Sequence, residues 1–85
     1  MDRAEIERRT NILMARQFEL EEASLIPTAN LYVDLSLDSL DAVDLVAALE
    51  REFGLAIDRQ NDEKILRAMR TLEDVYAFIA SKLTT

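Results

Sequence analysis

Apolar residues recur along this chain at intervals of three and four, broken by charged runs, and that spacing predicts helices throughout. Leu45, Leu49 and Phe53, with Val43 and Val46, form the apolar side of a helix expected over residues 39–53. Asp38 suits its N-cap, Asp41 three residues on stands where a capping-box acid belongs, and Gly54, the only glycine, suits a left-handed C-cap. A first helix is expected over residues 2–18. Its stripe is mixed: Ile6, Leu13 and Leu20 lie a heptad apart, with Thr10, Met14 and Gln17 on the flanks. A short third helix is expected over residues 61–70 with Ile65, Leu66 and Met69 inward. Thr71 then caps a fourth, with Asp74 as its capping-box acid and Leu72, Val75, Tyr76, Phe78, Ile79 and Leu83 on the apolar side.

Residues 21–37 form a long connector with the only proline, Pro27, and its Leu25, Ile26, Leu31, Val33 and Leu35 are expected to pin it against the helices. Loops of this length in a compact domain tend to be functional. Leu55, Ala56 and Ile57 would fix the next turn. No strand pattern, internal repeat or low-complexity tract competes, so the expected fold is all-α: a four-helix bundle with a short third helix and a long first loop, one domain over residues 1–85.

The composition narrows the function. A chain of 85 residues buries only about 60% of the surface its unfolded form exposes, so its stability is marginal. It has no cysteine and no histidine. That removes disulfides, thiolate metal sites and the usual nucleophile–base pairs, and argues against a self-sufficient hydrolase or metalloenzyme. Neither a catalytic nor a metal-binding residue is expected. The balance of 17 acidic against 10 basic residues gives a net charge of -7, which disfavours nucleic acid and anionic membranes and suits basic protein partners. No apolar run approaches the roughly 18 residues of a membrane span, and the charged start Met1-Asp2-Arg3-Ala4-Glu5 is unlike a signal peptide. A cytoplasmic monomer is expected, without stable membrane association.

Against that background Ser39 stands out. It is the first residue inside the second helix, beside unpaired backbone N–H groups and the positive end of the helix dipole, where a phosphate would be favoured. Serine is common at helix starts for capping alone, but here Asp38 already fills the cap and Leu40 follows.

Asp38-Ser39-Leu40 resembles the modification site of acyl carrier proteins. The likeness takes in Leu31-Tyr32-Val33-Asp34-Leu35, Val43-Asp44-Leu45-Val46, Leu49-Glu50, Phe53, Ile57 and Glu63-Lys64-Ile65, running from about Ile6 to Ile65 and resuming near Thr71. It implies 4'-phosphopantetheine, from coenzyme A, on the Ser39 hydroxyl, flanked by Asp38 and Leu40. The chain would be a non-catalytic carrier of acyl thioesters in fatty acid or related lipid or polyketide biosynthesis, with the reactive sulfur supplied by the cofactor. The resemblance further implies that Asp38, Leu40, Asp41, Val43, Asp44, Ala47 and Glu50 are recognised by basic patches on a phosphopantetheinyl transferase and on acyl-processing synthases or acyltransferases. It also implies an acyl pocket between the second and third helices, at Val46, Leu49, Ile65 and Leu66. The acids Asp34 and Glu52 extend the charged surface, which as a plain solvated face would need no partner.

The chain departs from the family pattern at three places. Ser36 stands where fatty-acid carriers have glycine, Arg51 interrupts the acidic run, and Leu66-Arg67-Ala68-Met69-Arg70 reads as an extra helical turn. These point to a specialised carrier. An aminoacyl, D-alanyl or peptidyl carrier is the alternative within the class, although a charge of -7 favours acyl loading; an unmodified helical interaction module is the alternative outside it.

Overall fold

A computed structural model describes residues 1–83, including every side chain among them but those of Arg59, Asn61 and Glu63. Four helices follow one another: α1 (Arg3–Phe18), α2 (Ser39–Phe53), α3 (Arg59–Ala68) and α4 (Leu72–Leu83), with a single 3-10 turn at Glu22–Ser24 in the first connector. Among the described residues there is no strand, only an isolated antiparallel bridge between Asn30 and Thr71.

Helix α1 is capped by Asp2, whose carboxylate accepts the Glu5 N–H at 2.8 Å, and it packs on both α2 and α4. Its buried row is Ile6, Thr10 and Met14, whereas Leu13 is half-buried, Gln17 is exposed and Leu20 lies past the end of the helix. The buried ridge thus advances by four residues instead of the expected heptad. Arg9 pins α1 to the far end of α2: it bonds the Glu52 carboxylate and carbonyl, and its guanidinium stacks 4.9 Å from the Phe53 ring centre. On the other side the buried Tyr76 of α4 donates its hydroxyl to Asn11 Oδ1. Burial raises the Tyr76 pKa, with the Asn11 bond acting in the opposite direction.

The connector is pinned by Leu25, Ala29, Leu31, Leu35 and Leu37, all buried. Ile26 and Val33 point outward instead, Val33 being 79% exposed. For Val33 the cause is a closed turn, in which Asn30 Oδ1 accepts the N–H groups of Tyr32 and Val33 while the Asp34 carboxylate accepts the Asn30 N–H. That geometry turns Leu31 and Leu35 inward and throws Val33 to solvent. Backbone bonds then tie the connector to the start of α4. Leu31 N–H meets the Arg70 carbonyl at 2.8 Å, Leu72 N–H that of Ala29 at 3.1 Å and Glu73 N–H that of Pro27 at 2.9 Å.

Helix α3 begins and ends two residues earlier than expected. Asp58 explains the start: its carboxylate accepts the Gln60 N–H, and its own N–H donates to the Asp62 carboxylate. Arg70 explains the end, donating from Nη1 to the Arg67 and Met69 carbonyls and so meeting the last backbone acceptors. Met69 is therefore buried but beyond the helix, and Ile65, expected inward, is 51% exposed. Asp62 and Lys82 form an ion pair at 2.6 Å that ties α3 to the last turn of α4. The Lys82 bond holds the Asp62 carboxyl below its ordinary value.

Helix α4 carries the expected capping box: Asp74 N–H donates to Thr71 Oγ1, and Thr71 N–H to the Asp74 carboxylate. With the Arg70 N–H as the leading donor, these bonds lower the Asp74 pKa. Leu72, Val75, Tyr76, Phe78 and Ile79 are buried in the common core, and Leu83 is half-buried against it.

Candidate functional site

Helix α2 opens on a reciprocal capping box. Asp41 N–H donates to Asp38 Oδ1 at 2.9 Å, and Asp38 N–H to Asp41 Oδ2 at 3.1 Å. Ser39, between them, is the exposed first residue of the helix. The box occupies the N–H groups of Asp38 and Asp41, which leaves those of Ser39 and Leu40, in the first turn, without intrahelical acceptors. Both carboxylates are held against the backbone. Gly54 ends the helix at φ 64, as a left-handed cap.

The residues singled out for recognition divide by environment. Leu40 is 74% exposed, Val43 and Asp44 are exposed, and Ala47 is half-buried. Their spacing of three, one and three sets them along one face of α2. Asp41 is half-buried in the capping box, Glu50 is half-buried and already engaged within the chain, and Glu52 is held by Arg9. Arg51 is exposed in the last turn of α2.

Beside Ser39 lies a groove of about 430 Å³, bounded by α2, the connector and the end of α3. Leu31, Tyr32, Ala42, Val43, Leu45, Val46, Leu66 and Met69 line it, together with Ser39 and Arg67. Two of the four residues expected in an acyl pocket, Val46 and Leu66, are in this wall. Leu49 is buried in the core, 1% exposed. Ile65 lines a different groove, of 350 Å³, between α3 and α4 with Ala68, Met69, Ala77 and Phe78. The expectation that Ile65 and Leu66 share one wall is thereby corrected: successive helical residues point about 100° apart, so one faces α2 and the other α4.

Tyr32, Arg67 and Met69 were not expected in this wall. Their presence depends on where the connector docks and where α3 stops, neither of which has a periodic signal. Ser36 adopts φ 59, in the left-handed region where glycine is favoured. It lines a separate polar groove with Arg16, Gln17, Ser24, Asp34 and Asp41.

A small acidic helical domain with an exposed serine at a capped helix start, opening on an apolar groove, has the form of a carrier domain. Residues 11–79 match the family described as "Phosphopantetheine attachment site". The chain is 36% identical over 83 residues to the acyl carrier protein of Thermosynechococcus vestitus, covering 98% of each chain. It is 42% identical over 76 residues to the acyl carrier protein of Treponema pallidum, covering 89% of this chain and 92% of that one. The chain belongs to the acyl carrier protein family, and the matched domain is its phosphopantetheine attachment domain.

Proposed function

We propose that this chain carries acyl intermediates as thioesters on a 4'-phosphopantetheine arm joined to Ser39, in fatty acid or related lipid or polyketide biosynthesis. The observation that carries the reading is the exposed Ser39 hydroxyl at the capped start of α2, at the edge of an apolar groove. The residues fit the group. The Ser39 oxygen can form the phosphodiester, the Ser39 and Leu40 N–H groups and the helix dipole favour its negative charge, and Asp38 and Asp41 are turned to the backbone. When bound, the group supplies a thiol on a long flexible arm. Val46 and Leu66 offer apolar surface to a chain folded back beside the arm.

The protein acts as a substrate of partner enzymes and not as a catalyst. Its partners are a phosphopantetheinyl transferase and acyl-processing synthases or acyltransferases with basic docking patches. Leu40, Val43, Asp44 and Ala47 form the centre of the docking face, with Asp38, Asp41 and Glu50 around it. Contacts of this kind are fast, transient and salt-sensitive, as a shuttle requires. No described helix is long and apolar enough to cross a membrane, and the reading is of a cytoplasmic monomer.

Incubation with coenzyme A and a broad-specificity phosphopantetheinyl transferase, followed by intact-protein mass, tests the assignment. The wild type gains one phosphopantetheine and Ser39→Ala gains none. A gain that persists in Ser39→Ala, or maps to Ser36 or Ser81, overturns it.

A further inference from the structure

Resting on the carrier reading, we propose that Arg67 tunes the groove beside Ser39 to acyl groups whose far end carries a carboxylate, over plain hydrocarbon chains of equal length. Among the described residues, the groove's walls are apolar apart from three side chains, Ser39 at its edge, Tyr32 and Arg67, and none of the described lining residues is an acid. A mostly apolar site with a few placed polar groups selects for a matching polar function on its ligand. On a chain of net charge -7 a cation in this wall runs against the general charge. The acids nearest Ser39 do not reach the same wall, since Asp38 and Asp41 are bonded to each other's backbone.

Arg67 lies in the last turn of α3, next to Leu66, and its side chain is exposed. Arg70 already meets the helix C-terminus there, donating to the Arg67 and Met69 carbonyls, so Arg67 is not required as the capping cation. Arg67 is engaged within the chain, and a cargo carboxylate would exchange for that contact. Hydrocarbon laid against a guanidinium strips it of water without return. A carboxylate replaces that water with two charge-assisted bonds on the planar fork. Tyr32, whose backbone N–H is fixed by Asn30 Oδ1 at 2.9 Å, stands in the same wall and offers a phenol as a further polar group.

Coenzyme A thioesters of octanoate and of suberate provide the test, because they match in carbon number and differ at the far end. Each is loaded by a broad-specificity transferase and confirmed by intact mass. Thermal melts and the NMR shifts of Arg67 Nε–H and of the Tyr32, Val46 and Leu66 amides are then read at low salt. The suberyl form is expected to melt roughly 3 °C above the octanoyl form, although one more negative charge on an acidic protein would by itself lower stability. Arg67 Nε–H shifts only with suberyl cargo. Arg67→Gln removes the difference, Arg67→Lys retains part of it, and circular dichroism confirms that both variants fold. An octanoyl form that melts as high or higher, or a difference that survives Arg67→Gln, overturns the proposal while leaving the carrier reading intact. Absence of any mass gain on Ser39 overturns both.

Discussion

Ser36 holds a left-handed backbone, φ 59, three residues before Ser39. An L-residue there pays a steric penalty that glycine avoids, so Ser36→Gly is expected to raise stability by about 0.5–1 kcal/mol in urea unfolding. A lower midpoint would show that the serine's own contacts outweigh its strain. Thr10 is a second local cost, because its hydroxyl is fully buried in α1 with no hydrogen-bond partner among the described residues. Thr10→Val keeps the shape and removes the orphan, for an expected gain of about 1 kcal/mol; an unchanged or lower denaturation midpoint would count against it. Sequence reading worked best at this scale for the start of α2. Asp38 and Asp41 interact within one turn, so the capping box that sets Ser39 at the helix start follows from spacing alone. Tyr32 and Arg67 come to line one groove only when the connector and α3 are both in place, and no local rule marks them.

Among the elements, α1, α2 and α4 fall within a residue of their expected limits, since each has a cap three residues from its capping partner or a glycine stop. Helix α3 was misplaced by two residues because Asp58 and Asp62 are four apart, outside the three-residue pattern that identifies a capping box. Its attachment to α4 through Asp62 and Lys82 has a consequence for pH. The Asp62 carboxyl titrates lower in the folded protein than in the unfolded chain, so the pair stabilises the fold above the ordinary aspartate value, about 3.9. As pH falls through that value the unfolded chain takes up the proton first, and the contribution is lost by the time pH passes the folded pKa. Asp74 acts in the same direction through its bonds to the Arg70 and Thr71 N–H groups. Melting temperature should therefore fall less steeply from about pH 5 to 3 in Asp62→Asn than in wild type, from a lower starting point at pH 7. Parallel curves would show that the ion pair does not hold α3.

For the whole molecule, the charge of -7 is unevenly committed. Glu52 is held by Arg9, Asp34 closes the Asn30 turn and Asp41 completes a cap, whereas Asp44 is exposed beside Leu40 and Val43. Asp44→Lys should raise KM for prosthetic-group transfer several-fold at low salt with little change in helical content, and the gap should close at high ionic strength. Equal transfer kinetics at low salt would remove Asp44 from the docking face. Asp41→Lys is a less discriminating variant, since it also breaks the capping box. On the proposed carrier reading, the bonds that join Ala29, Leu31 and Pro27 to Leu72, Arg70 and Glu73 would govern how this molecule takes a bulky load. They fasten the connector and the α3–α4 junction into one plate, with Tyr32 and Arg67 on its edge, and α2 with Ser39 forms the opposing plate. The groove is the seam between them, and among the described residues no backbone hydrogen bond crosses it. On the proposed carrier reading, a larger cargo would part the plates by sliding apolar contacts, while the backbone bonds within the connector plate stay whole.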